Sequence, residues 1–187
     1  DSVTTIGDYA FYNCESIVSI IIPESIMKIG GCAFSGCPNL IDFTVDINNQ
    51  YFSNDEYGVL FNKDKTKLIQ YPVGNTRTDY EIPDSVTTIG ADAFSNTTLG
   101  NWENDVLYIG NHLIKANESI FGDYQIKEGT LTIADSAFSG CYSLRSIIIP
   151  DSVTTIGQNA FYDCDNLTGV IIGDGVTKIG AGAFDSC

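Results

Sequence analysis

Apolar positions in this chain recur in a fixed order, not at a single helical or strand period. Between Leu144 and Leu167 the apolar set runs Leu144, Ile147, Ile149, Val153, Ile156, Ala160, Phe161, Cys164, with polar or small residues between most of them. Alternation puts Leu144, Ile147 and Ile149 towards a core and predicts a strand over 146–149. Pro150 lacks an N–H and ends that strand. Val153 and Ile156 predict a second short extended stretch. Gly157 then allows a tight or left-handed turn. Ala160 and Phe161, with Cys164 three residues after Phe161, predict one short helical or 3₁₀ turn. Leu167 opens the next strand.

This block is one copy of a repeat. Residues 1–14 return almost letter for letter at 151–164, and looser copies occupy 24–37, 84–97, 128–141 and 174–187. The key isoleucines Ile6, Ile29, Ile89, Ile133, Ile156 and Ile179 are 23, 60, 44, 23 and 23 residues apart. A fixed period of this size means a solenoid, in which no repeat buries its apolar face alone. Stacking puts like residues over like at roughly 4.8 Å. Phe11, Phe34, Phe94, Phe138, Phe161 and Phe184 should then form one continuous aromatic row. Ile22, Val45, Ile82, Ile126, Ile149 and Ile172 should stack as strand ends, all but Val45 lying seven residues before the next key isoleucine. The insertions therefore leave the register intact, and 1–187 reads as a single domain. The chain begins inside one repeat and stops partway through another, as expected of a fragment of a longer repeat protein.

The pattern P-x-S-V-T-x-I-G-x-x-A-F-x-x-C-x-x-L, clearest at Pro150–Leu167, resembles the BspA-like leucine-rich repeat family, a 23-residue class of bacterial and some protist cell surfaces. The resemblance covers essentially the whole chain. It implies an α/β leucine-rich repeat solenoid: a β-rich right-handed superhelix with short helical or 3₁₀ turns and two β-hairpin insertions. It also implies an extracellular or cell-surface protein, often an adhesin that binds host matrix proteins or neighbouring cells. Family members often carry inserts like Gly58–Pro72, which marks that insert as structural.

The repeat breaks twice, over about 46–80 and 99–124. Residues 58–72 and 105–115 each read as two apolar strands around a polar turn, the second turning at Gly110-Asn111. Excursions of this kind gather on one edge of a solenoid and often carry binding. They hold Trp102, Tyr108 and several other tyrosines, which could stack on sugar rings, anchor a protein, or simply cover an irregular coil. The open sheet face supplies further positions. Ser19 and Ile21, Asp42 and Thr44, Ser146 and Ile148, and Gly169 and Ile171 point away from the core in this register. The binding candidates are thus Ile21, Thr44, Ile148, Ile171, Trp102 and Tyr108. Ordinary β-propensity accounts equally for the outward isoleucines.

Charge narrows the partners. The chain has 24 acidic and 9 basic residues, a net −15 that repels phosphate backbones, so no nucleic-acid partner is expected. The acids are scattered, as on a solvated surface. The longest aliphatic run, Ile20–Ile22, cannot span a membrane. Cys14, Cys37, Cys141, Cys164 and Cys187 share one repeat slot, which reads as an inward ladder of free thiols; Cys32 is extra and Thr97 fills the slot in the third copy. Asp46–Asn54 is rich in oxygens but lacks the EF-hand spacing. No cofactor or metal site is expected. One histidine, His112, and no catalytic motif argue against an enzyme. Three functions remain: a surface module binding extracellular proteins, a spacer displaying other domains, or a carbohydrate-binding module.

Overall fold

The structure, a computed structural model, describes residues 2–187; Asp1, which opens the first repeat copy, lies outside them. The chain forms two compact units, Asp1–Val86 with Gly90–Leu99, and Thr87–Ile89 with Gly100–Cys187.

Each regular repeat is one coil carrying two short parallel strands. In the first unit Ser19–Ile22 pairs with Asp42–Val45, and Thr5–Ile6 with Lys28–Ile29. In the second, Gly122–Gln125, Leu144–Ile149 and Gly169–Ile172 lie side by side in that order. Thr132–Ile133, Thr155–Ile156 and Lys178–Ile179 form the second ladder. The alternation works as the side chains require: Leu144, Ile147, Ile149, Val153 and Ile156 are buried. The strand ends Ile22 and Val45, and Ile149 and Ile172, are register partners. Ile82 belongs to no strand, so the strand-end stack does not run through the first insertion.

Among the described residues there is no helix and no 3₁₀ segment. The expected helical turn is instead a chain of overlapping β-turns. The N–H groups of Ala10, Tyr12 and Cys14 donate to the carbonyls of Gly7, Tyr9 and Phe11 in the same coil (3.3, 3.0 and 3.4 Å). Those of Tyr9, Phe11 and Asn13 cross to Gly31, Ala33 and Ser35 in the next coil (3.1, 2.8 and 2.9 Å). A helix would turn every N–H along its own axis and leave none for the neighbour. The alternation needs left-handed backbone twice per coil. Tyr9 and Asn13 both have φ of 56°, and the same two slots are left-handed in every copy, through Asn159 and Asp163 to Gly182 and Ser186.

Gly157 has another role than the sequence suggests. Its backbone is not left-handed. A Cβ there would lie 2.5 Å from the carbonyl carbon of Ala134 and 2.5 Å from the nitrogen of Asp135, in the coil before. Gly30 and Gly180 sit equally close to the coil before them, whereas Gly7 has open space. This glycine sets how closely coils approach.

The phenylalanines stack, but not as one unbroken row of six. Phe11 and Phe34 lie 5.5 Å apart, Phe138 and Phe161 4.9 Å, and Phe161 and Phe184 5.0 Å. The insertions contribute rungs of their own. Tyr71 stacks on Phe94 at 5.4 Å, its N–H donating to Ala93 as Phe11 does to Ala33. Ala116 takes the same backbone place before Ala137 and brings no ring; Tyr124 tilts against Phe138 instead.

Both insertions have a third strand beyond the expected two, which gives each hairpin a neighbour to cover its bare side. Phe52–Asn54, Leu60–Asn62 and Lys67–Gln70 are antiparallel in the first unit. Asn101–Glu103, Val106–Ile109 and His112–Ala116 are antiparallel in the second. The first is anchored by buried Asn49. Its amide donates to the carbonyls of Pro23 and Ile26 (2.8 and 3.0 Å) and its oxygen accepts from Tyr51 and Phe52 (both 2.8 Å). The second turns at Gly110-Asn111 as expected, and its added strand turns at Asn104 and Asp105, both left-handed as a tight hairpin demands. It joins the coil ladder where His112–Ala116 pairs in parallel with Thr132–Ile133.

Two substitutions test this packing in urea denaturation. Phe161→Ala should lose about 3–5 kcal/mol, the cost of a large-to-small core change. Gly157→Ala should lose about 1–3 kcal/mol by overpacking, while Gly7→Ala, with open space, should be close to neutral.

Candidate binding surfaces

The open sheet faces come from strand alternation alone. In the first unit Ile21 is opposite Thr44, and in the second Ile148 is opposite Ile171. Ile21 is 73% exposed, Ile171 62% and Ile148 37%. Thr44 is also exposed, its hydroxyl donating to Asp42 (3.3 Å). The structure therefore pairs the four face candidates two by two, one pair on each unit.

On the second unit the outward rows are Gln125–Ile148–Ile171 and Asp123–Ser146–Gly169. The Ser146 hydroxyl donates to Asp123 at 2.8 Å. Just past the strand ends, three residues beyond the apolar row, stand exposed Glu128, Asp151 and Asp174. The coil register continues there: the Asp174 N–H donates to the Asp151 carboxylate (2.9 Å), and that of Gly129 to the Ser152 hydroxyl (3.1 Å). Just before the strands, Asn166 donates to the Tyr142 carbonyl (2.5 Å). The exposed Tyr142 phenol is pushed up, first by the charge of Asp163, then by burial, Asp165 and Glu118. The sheet is thus edged with carboxylates past its strand ends. The spacing that shows one edge, an acid three residues after each outward position, was legible in the repeat but is hidden when the acids are read as scattered.

The insertion aromatics divide. Trp102 is 58% exposed on the strand that ends the second unit's sheet. Tyr108 is not a surface residue: it is 3% exposed, within hydrogen-bonding distance of Tyr124 through the hydroxyls (3.3 Å), with the Lys127 ammonium 5.6 Å from its ring centre. Burial, then that hydroxyl contact, pushes the Tyr124 phenol up. Tyr71 and Tyr80 are likewise buried, and Tyr80 donates to Asp55 (3.1 Å). Most of these rings cover the irregular coils. Sequence reading passed over Ile47 and Phe121, apolar and highly exposed in the insertions.

The remaining chemistry is structural. The six cysteines are free. The thiols of Cys37, Cys164 and Cys187 donate to the carbonyls of Phe11, Phe138 and Phe161 in the coil before (3.1, 3.2 and 3.2 Å). Burial pushes Cys141 up to about 11 and Cys164 up to about 12. In Asp46–Asn54 the oxygens of Asp46, Asn49 and Asn54 accept backbone N–H groups of Asn48, Tyr51 and Val45. Among the described residues no group of three or more His, Cys, Asp or Glu could hold a metal ion. His112 is buried, its Nδ1 2.8 Å from the Thr132 hydroxyl.

The two parallel ladders, the stacked rings and the thiol row define a repeat protein built of stacked coils. The profile of the BspA type leucine-rich repeat region matches in 6 copies, over residues 1–77 and 73–187. The chain belongs to that family. The pneumococcal vaccine antigen PcpA is a structural relative at 26% identity and TM-score 0.58, covering 96% of this chain and 39% of that one. A leucine-rich repeat protein from Eubacterium ventriosum shares the fold at 24% identity and TM-score 0.53, covering 100% of this chain and 63% of its own. The chain thus spans less than two thirds of the length of either relative. Comparison with curated proteins gives no match.

The thiol ladder has a chemical test. At pH 8 about a thousandth of Cys141 and about a ten-thousandth of Cys164 would be thiolate. A water-soluble aromatic disulfide should label exposed Cys187 in the native protein, and Cys141 and Cys164 only after unfolding; equal labelling would refute burial. Both folded values lie above those of the unfolded chain. Their contribution to stability is therefore full below about pH 8.5 and is lost as the pH climbs towards about 12.

Proposed function

We propose that this chain is a non-catalytic binding module of a cell-surface or extracellular protein, an adhesin that meets other proteins through its open sheet faces. The observation that carries this reading is the outward isoleucines. Core packing does not require Ile21, Ile148 and Ile171, yet they stand exposed on regular strands next to their register partners. Exposed apolar rows on repeat proteins serve association. Kinship with a vaccine antigen fits a location outside the cell. Burial of Tyr71, Tyr80 and Tyr108 weighs against a carbohydrate site built on the insertions, because sugar stacking needs exposed ring faces.

A binding screen against extracellular-matrix and cell-surface proteins tests the proposal. Ile148→Asp with Ile171→Asp should weaken the partner found by at least about fivefold, since central contacts cost more than about 1 kcal/mol, with circular dichroism unchanged. Unaltered affinity would place binding elsewhere and end this reading of the sheet.

A further inference from the structure

The second unit's sheet face combines two features that together specify what should sit on it. Its middle is apolar: Ile148 and Ile171 are register partners on neighbouring strands, and Gly169 beside Ser146 leaves the adjoining row low. Its border past the strand ends is acidic. Glu128, Asp151 and Asp174 follow the strand ends at the coil spacing, and the register is held by bonds between those loops.

The unit offers little cationic charge in return. Its basic residues are Lys115, Lys127, Arg145 and Lys178, and Lys127 is already paired with Glu103 at 2.9 Å. An apolar strip beside an acidic border selects by sign. A partner with an acidic flank meets repulsion there, whereas a cationic one is drawn in before contact.

From this arrangement, and resting on the sheet face being a protein-binding surface, we infer that its occupant is a basic polypeptide segment whose apolar side chains meet Ile148 and Ile171 and whose lysines or arginines meet the carboxylates of Glu128, Asp151 and Asp174. Asp151 can serve such a cation without giving up its coil bond. One carboxylate oxygen accepts from the Asp174 N–H, and the other is left for the partner.

The probe is a fluorescent peptide alternating lysine and valine, compared with twins alternating glutamate and valine or serine and valine. Anisotropy is read on the full chain at low and physiological salt. The lysine peptide should bind at least about tenfold tighter than the glutamate twin at low salt, and weaken as salt screens the acidic border. Asp151→Asn with Asp174→Asn keeps the bond-accepting amide oxygen and should weaken binding about threefold or more while flattening the salt dependence. Ile148→Ser with Ile171→Ser should weaken it at all salt concentrations. Glu81→Gln with Asp84→Asn, exposed on the other unit, should change nothing.

Failure of the lysine peptide to bind, equal binding of the glutamate twin, or equal loss from the control pair would each overturn the inference. If the serine or glutamate twin binds as tightly and still depends on Ile148 and Ile171, the inference falls while the protein-binding reading stands. If a natural partner is insensitive to both isoleucines, that reading falls instead.

Discussion

Every level of this structure depends on backbone hydrogen bonds between residues 22 to 24 apart. Tyr9 to Gly31, Phe138 to Ala160 and Gly173 to Ile149 are instances of one relation repeated along the chain. Such bonds hold only if each coil reproduces the path of its neighbour, because a one-residue slip would turn core side chains out. The repeated sequence meets that demand. The left-handed pair in each turn is what lets irregular backbone, which would otherwise leave polar groups unpaired, join the ladder as fully as the strands do.

Side chains follow from that relation. Once coils are held at strand spacing, phenylalanines fall into van der Waals contact over phenylalanines, thiols beneath the carbonyls of the coil before, and carboxylates such as Asp8 and Asp135 against the N–H groups of Gly31 and Gln158. Many of the chain's acids are therefore doing structural duty at the coil edges, and net charge alone says little about binding. What distinguishes Glu128, Asp151 and Asp174 is their position beside an apolar row.

Much of the fold was legible because alternation and period are properties of sequence. The strand through 146–149, its buried Ile147 and Ile149, and the outward Ile148 and Ile171 followed from reading every second residue. The turns did not. Ala160-Phe161-x-x-Cys164 has a spacing that suits a helix, and nothing in the letters shows that half the N–H groups must serve the next coil. Gly157 escapes the letters for the same reason: its need comes from the backbone of the coil before it rather than from its own dihedral. Tyr108 and Trp102 look alike in sequence, but Trp102 lies on the strand that ends the sheet while Tyr108 lies between two strands. Burial there is decided by strand order, which short-range pattern does not contain.

The glycine contact has a bearing on how such a chain can change over time. In the 128–141 copy the slot held by Gly157 carries Ala134, and the strand before it, His112–Ala116, belongs to an insertion and not to a regular coil. A gene duplication that moved this copy behind an ordinary coil would bring its methyl group against the preceding backbone. Repeats that look interchangeable are thus fitted to their predecessors, and the order of copies is itself inherited information.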